Sequence, residues 1–131
     1  MKTINVVNAV IGAVTVINDN EVYITFQKAE RITNGHYKGQ LKVTTVRLNT
    51  KSDDFNLLVK LTNANSLGDL VDKNVMLGEE DGRVKGFDVP TMEYKSQVQE
   101  IPAYISRNAK TIYTYRMIHH HSLDFNNQQG H

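Results

Sequence analysis

The segment from Thr3 to Ile17 constrains the fold more than any other part of the chain. Apolar residues occur at alternate positions along it, which is typical of a strand that buries one face. Gly12 lies near its centre, and because glycine has no Cβ we expect the strand to bend or bulge there. The residues of one parity, which we predict to face the core, are Ile4, Val6, Val10, Val14 and Val16.

Turn signals divide the rest of the chain into further short strands. Asn-Gly and Asp-Gly pairs are typical of hairpins because these residues tolerate a left-handed backbone. Asn34-Gly35 begins a polar loop that ends at Gly39, and Asp81-Gly82 marks a second hairpin. The strands predicted after the first one cover residues 21–32, 40–48, 55–61, 73–77, 82–89, 94–99, 101–106 and 111–118.

One helix is predicted, and it begins at Ser66. Asp69 follows three residues later, as in a capping box. Leu67, Leu70 and Val71 have the spacing that places side chains on one helical face. The helix is only about two turns long, so tertiary packing must stabilise it.

This order of elements predicts an all-β fold with one short helix. A long bent first strand and a single helix are typical of a small five-stranded OB-fold barrel. A β-sandwich is the alternative. In an OB-fold the helix lies between the third and fourth strands, whereas here it follows four strand-like segments. One of these segments would then be part of another strand.

Composition excludes several classes of protein. The chain has 131 residues, a length typical of one domain. Its 15 basic and 14 acidic residues exclude a histone-like basic protein and a strongly acidic one. Cysteine is absent, which excludes disulfides, thiolate metal sites and cysteine nucleophiles. No apolar run is long enough to span a membrane and no signal peptide is recognisable, so we expect a cytoplasmic protein without membrane partners.

No catalytic motif occurs in the sequence, so we expect a protein that is not an enzyme and binds no cofactor. His36 is the only histidine before residue 119. His119, His120 and His121 are adjacent, and three consecutive side chains do not converge well on one metal ion. We therefore predict no metal site, and we interpret residues 119–131 as a polar, flexible C-terminal tail.

Aromatic and basic residues indicate nucleic-acid binding more than any other activity. Residues 1–50 contain six basic and three acidic side chains, whereas residues 51–100 contain six and ten. Exposed rings offer surfaces on which unpaired bases stack, and cations meet phosphates. For each tyrosine the alternative is a ring that covers a half-buried sheet. The candidate nucleic-acid-binding residues are Tyr23, Arg31, His36, Tyr37, Lys38, Lys42, Arg47, Lys95, Arg107, Tyr113, Tyr115 and Arg116.

Four short segments carry a resemblance to a known family. Their sequences are MKTINVV at residues 1–7, VYITF at 22–26, NGHYKG at 34–39 and IYTYR at 112–116. In these segments the chain resembles the OB-fold single-stranded DNA-binding proteins encoded by bacteriophages of lactic-acid bacteria. The resemblance covers residues 1–118, which we take as the single-stranded DNA-binding domain.

The resemblance implies protection of unpaired DNA during phage replication and recombination, in the cytoplasm of the infected host cell. It also implies a dimer or tetramer, with replication or recombination proteins as further partners. Cellular relatives recruit such partners through an acidic tail that ends in phenylalanine. Here residues 119–131 contain one acid, Asp124, so the resemblance does not extend to that route. The alternative function is a β-rich structural or assembly protein of a virion, which pairs through exposed sheet edges.

Overall fold

The computed structural model describes residues 2–99 and 111–114. The strands are β1 (Ile4–Asn18), β2 (Glu21–Arg31), β3 (Leu41–Asn49), β4 (Asn74–Glu80), β5 (Arg83–Asp88) and β6 (Thr111–Thr114). One α-helix, α1 (Asp53–Thr62), and a 3-10 turn (Gly68–Leu70) lie between β3 and β4.

All pairings in the sheet are antiparallel, and β1 is its central strand. The order is β3-β2-β1-β4-β5, and β6 also pairs with β1. The strands curl into a half-barrel with one short helix, consistent with a small OB-like barrel. This confirms the predicted all-β class. In the described part of the chain the strands form one continuous sheet rather than the two packed sheets of a sandwich.

Gly12 interrupts the alternation of β1, as predicted. The register with β2 shifts between Ile11 and Ala13, because one extra residue bulges out of the ladder. A bulge of one residue exchanges the two faces of the strand beyond it. The predicted core parity is therefore correct after Gly12 and wrong before it. The residues of β1 that join the core are Val7, Ala9, Ile11, Val14 and Val16.

The segment predicted as a strand at 55–61 is helical, and this prediction was wrong. Ser52 caps α1 by accepting a hydrogen bond from the Phe55 N–H at 3.2 Å, and Asn63 ends it in a left-handed conformation. Phe55 and Leu58 are buried on one face of α1. A short apolar run fits a strand or a buried helical face equally well, so periodicity alone could not decide.

The helix predicted from Ser66 was also wrong, because only the 3-10 turn forms there. The Ser66 hydroxyl accepts the predicted hydrogen bond from the Asp69 N–H at 3.1 Å. Val71 is extended, however, and Asp72 has a φ of 73°, so the helix does not continue. With α1 in place of the extra strand, the helix lies between the third and fourth strands, where an OB-like fold requires it.

Both predicted hairpins are present. Asp81 and Gly82 have positive φ values of 53° and 80° between β4 and β5, and the polar loop at 33–39 joins β2 to β3. The strand predicted at 94–99 does not form. Residues 89–99, which we call the strap, bend at 91–92 and pair with no strand. The strand predicted at 101–106 and the tail at 119–131 lie outside the described residues.

Candidate nucleic-acid interface

The sheet has an outer face, which is the side opposite the hydrophobic core. Along β2, Val22, Ile24 and Phe26 are fully buried in the core. The intervening residues therefore lie on the outer face, and the pairing register extends each row into β3. The outer rows of the β2–β3 pair are Tyr23 with Arg47, Thr25 with Thr45, and Gln27 with Val43.

Tyr23 and Arg47 form an aromatic–cation pair on this face. The guanidinium carbon of Arg47 lies 6.0 Å from the centre of the half-buried Tyr23 ring. Arg47 also forms a salt bridge with Glu21. A hydrogen bond from Asn18 and the nearby guanidinium lower the pKa of Glu21, and Glu21 in turn raises the pKa of Arg47. The charge of Arg47 is thus already compensated by a carboxylate at neutral pH.

The strap is held on the outer face by amide side chains that imitate backbone pairing. Asn74 donates to the Tyr94 carbonyl at 2.9 Å and accepts from the Tyr94 N–H at 2.8 Å. Gln27 does the same with Gln97, at 2.6 Å to the carbonyl and 2.8 Å from the N–H. Each amide replaces one residue of a neighbouring strand.

Two further amides fix the two ends of the strap. Near its start, Asn8 donates to the Thr91 hydroxyl at 2.8 Å and accepts from the Thr91 N–H at 2.9 Å. At its end, the Gln99 amide accepts from the Leu41 N–H at 3.1 Å and donates to the Leu41 carbonyl at 3.0 Å. The strap therefore crosses from β4 and β1 to the first residue of β3.

The strap divides the outer face into a covered and an uncovered part. Val10 is fully buried and Gln27 is only 2% exposed, although both point away from the core. Beyond this row, Thr45 and Arg47 are exposed, and Tyr23 is half-buried. Lys95 is an exposed cation on the strap itself. The uncovered part is a surface with one ring and two threonine hydroxyls, bordered by the strap.

The loop at 33–39 brings further candidates together at one end of the β2–β3 pair. Arg31 donates to the Gly39 carbonyl at 2.7 Å, which ties the two ends of the loop. The rings of His36 and Tyr37 meet edge to face, with centres 4.9 Å apart. Within residues 2–99 and 111–114, no acidic side chain pairs with Arg31, Lys38 or Lys95.

The structure does not bring all twelve candidates to this interface. Lys42 forms a salt bridge with Glu30 at 3.3 Å, and the alternation of β3 places it on the face opposite Arg47. Tyr113 packs against the core, because β6 sets it opposite the inward-facing Val14. The candidates that lie outside the described residues are Arg107, Tyr115 and Arg116.

Sequence reasoning missed the amides that hold the strap. Asn8, Gln27 and Asn74 were not singled out, although polar amides within apolar strand segments are an available signal. A buried amide needs partners for both its donor and its acceptor, so Gln27 at an outward position indicates that something covers it. The sequence does not show which segment does so.

The described surface outside this interface includes a cleft. This cleft of about 350 Å³ lies between the β1–β2 turn and α1 and has an apolar floor that includes Phe55 and Leu67. Among the described residues that line it, Asp19 is the one charged side chain and none is cationic. No cluster of three metal-ligating side chains occurs among residues 2–99 and 111–114. In the same residues no helix is long and apolar enough to cross a membrane.

Comparisons with protein-family models, curated proteins and solved structures find no match for this chain. The resemblance to phage single-stranded DNA-binding proteins therefore depends on the four quoted segments alone.

Proposed function

We propose that the protein is a non-enzymatic, largely sequence-independent single-stranded DNA-binding protein. The observation that carries the proposal is the pair of Tyr23 and Arg47 on the uncovered outer face of β2 and β3. In OB-folds this part of the barrel surface binds oligonucleotides. A ring with a neighbouring cation offers the two contacts that an unpaired nucleotide needs, one to the base and one to the phosphate.

The proposed binding mode follows from the residues around this pair. A base stacks on Tyr23, and a phosphate competes with Glu21 for Arg47. Lys95, Lys38 of the 33–39 loop and Arg31 at the end of β2 add phosphate contacts without reading base edges. Because every base has a flat π-face, stacking discriminates weakly among sequences.

The biological setting is a proposal that rests on the family resemblance. We propose that the protein protects unpaired DNA in phage replication and recombination, in the cytoplasm of the infected cell. One small barrel covers few nucleotides, so self-association into a dimer or tetramer would extend the footprint and increase affinity through linked binding. Replication and recombination proteins are the proposed further partners.

The proposal is tested by fluorescence anisotropy of a labelled oligo-dT, beside a duplex of equal length, at several salt concentrations. We expect preference for the single strand and a linear decrease of log K with log salt, with a slope of about −0.7 per phosphate neutralised. Absence of binding by folded protein at low salt, or equal affinity for the duplex, would contradict the proposal.

A second candidate function is assembly through the sheet, and one observation favours it. Ile4 and Val6 are 74% and 59% exposed in the part of β1 that pairs with β4 but not with β2, so two large apolar side chains lie beside an unpaired stretch of this strand. An assembly protein would self-associate without nucleic acid, and the Val6→Lys substitution would abolish this self-association. Because both functions permit self-association, analytical ultracentrifugation that follows the absorbance of labelled oligo-dT separates them: the oligonucleotide sediments with a DNA-binding protein and sediments alone beside an assembly protein.

A further inference from the structure

The tip of the 33–39 loop presents an unshielded Asn-Gly pair. Asn34 and Gly35 are both exposed, and the Asn34 amide makes one long hydrogen bond, to the Thr33 hydroxyl at 3.4 Å. Gly35 has a φ of 89°, and a Cβ built on it would meet no atom within 4 Å. The backbone nitrogen that follows the Asn34 amide is therefore accessible, with no side chain on Gly35 to obstruct it.

The chain contains a matched pair in a protected setting. Asp81-Gly82 is the comparable acidic dipeptide, and it forms the β4–β5 turn. Its carboxylate accepts a hydrogen bond from the Thr3 N–H at 2.9 Å, and its own N–H donates to the Thr3 carbonyl at 2.8 Å. The Asp81 side chain is thus held by the residue that precedes β1, whereas Asn34 is held by its immediate neighbour Thr33.

We propose that Asn34 is a deamidation site, at which the neutral side-chain amide is converted to a carboxylate. The Gly35 backbone nitrogen attacks the Asn34 Cγ, a new N–Cγ bond forms, and the Cγ–Nδ2 bond breaks. The Gly35 amide proton leaves with the amino group as ammonia. Water then opens the cyclic imide at either carbonyl and yields aspartate or isoaspartate, so that no oxidant or cofactor is required.

The new carboxylate would lie within the loop that contains Lys38 and is closed by Arg31. The consequence for binding rests on the proposed function, because a negative charge here would weaken phosphate contacts made by these two cations. Deamidation would then act as a slow, irreversible decrease of affinity. The modification itself is independent of any ligand.

The site is tested by ageing the full-length protein in warm, mildly alkaline buffer and mapping its peptides by mass spectrometry. We expect Asn34 to convert before every other asparagine, with isoaspartate appearing there and not at Asp81 on the same time scale. Conversion of other asparagines while Asn34 remains intact would overturn the assignment, as would isomerisation of Asp81 at the same rate.

The consequence is tested with Asn34→Asp and Asn34→Gln variants in the oligo-dT titration. We expect Asn34→Asp to lose affinity about threefold at low salt, with a smaller loss at higher salt, and Asn34→Gln to match fresh wild type. Aged wild type should approach the Asn34→Asp affinity while aged Asn34→Gln does not change. Equal affinities of the two variants would overturn the charge effect. Failure of fresh wild type to bind oligo-dT would instead refute the proposed function, and peptide mapping would still judge the site.

Discussion

The side chain of Gln27 lies directly against Gly12. A Cβ built on Gly12 would lie 3.2 Å from the Gln27 Cδ and 3.3 Å from its Cγ. Gln27 cannot easily move, because its amide is bonded at both ends to Gln97 of the strap. At the bulge in β1, Gly12 therefore leaves the space through which Gln27 reaches the strap.

Substitution of Gly12 by alanine should destabilise the fold. The added methyl group must displace a side chain that two hydrogen bonds hold in place, and we expect a loss of about 1–2 kcal/mol in the free energy of unfolding. Urea denaturation measures the change. Gly86→Ala is the matched control in another strand, because a Cβ there meets nothing within 4 Å, and it should change stability by less than about 0.5 kcal/mol. Equal losses in the two variants would contradict the role of Gln27.

Substitution of Gln27 by leucine should release the strap. The Gln97 N–H and carbonyl would lose their partners next to an apolar side chain, at a cost of about 1–3 kcal/mol. Hydrogen exchange at the Gln97 amide should accelerate more than exchange in β4. Gln97→Ala provides the control, since it removes an exposed side chain and keeps the backbone bonds to Gln27. If both variants exchange alike, the amide does not hold the strap.

Tyr23 and Tyr113 should behave differently on substitution by alanine. Tyr113 packs against the core, and its ring lies 3.1 Å from the position that a Cβ on Gly68 would occupy. We expect Tyr113→Ala to reduce stability by about 2 kcal/mol and to leave binding by the folded fraction unchanged. Tyr23→Ala should retain most of the stability and weaken oligo-dT binding by about 1–3 kcal/mol. Thermal unfolding and anisotropy titrations of both variants check this difference. A stable Tyr113→Ala variant that binds weakly, with an unstable Tyr23→Ala variant that binds normally, would assign the DNA contact to Tyr113 and the core position to Tyr23.

Removal of the carboxylate that pairs with Arg47 should strengthen DNA binding. In Glu21→Gln the Arg47 guanidinium does not have to release a carboxylate before it binds a phosphate. We therefore expect the affinity for oligo-dT to rise about threefold at low salt. Glu30→Gln is the matched control, because it releases Lys42 on the opposite face. Anisotropy titrations should show no change for that variant. A similar increase for both would indicate non-specific attraction to net charge.

The pKa of Glu21 gives a prediction for acid stability. Because Asn18 and then Arg47 lower this pKa below its ordinary value of 4.5, ionised Glu21 favours the folded state above that value. This contribution is lost as the pH falls through the lower folded pKa. Asn18→Ala should raise the Glu21 pKa toward 4.5, as carboxyl NMR titration would show. An unchanged pKa would mean that Asn18 does not contribute.

The elements that carry a local signal could be predicted, and those defined by distant partners could not. The Asp81-Gly82 pair predicts a hairpin because both residues tolerate a positive φ, and Gly12 predicts a bulge because it is a glycine within an alternating strand. The segment at 55–61 is too short for its periodicity to separate helix from strand. The sequence of the strap shows no strand periodicity, because side-chain amides hold it in place of the hydrogen-bond ladder of a sheet.

The candidate site was predictable to a similar degree. The alternation along β2 places Tyr23 on the other side of the strand from the buried Phe26, and therefore on the outer face. Parity along β6 cannot say which side is inward, and only its pairing with Val14 puts Tyr113 on the core side. The opposite faces of Arg47 and Lys42 follow from the alternation of β3, which the sequence contains, although a count of basic residues does not separate the two.

The most direct test of the central claim is an NMR titration of isotope-labelled protein with oligo-dT. If the outer face binds single-stranded DNA, the largest amide shift changes should occur at Tyr23, Thr45, Arg47 and Lys95, and in the 33–39 loop. The amides of α1 should change little. Saturable binding with shift changes confined to α1 and its neighbouring cleft, or no shift changes at all, would contradict the account.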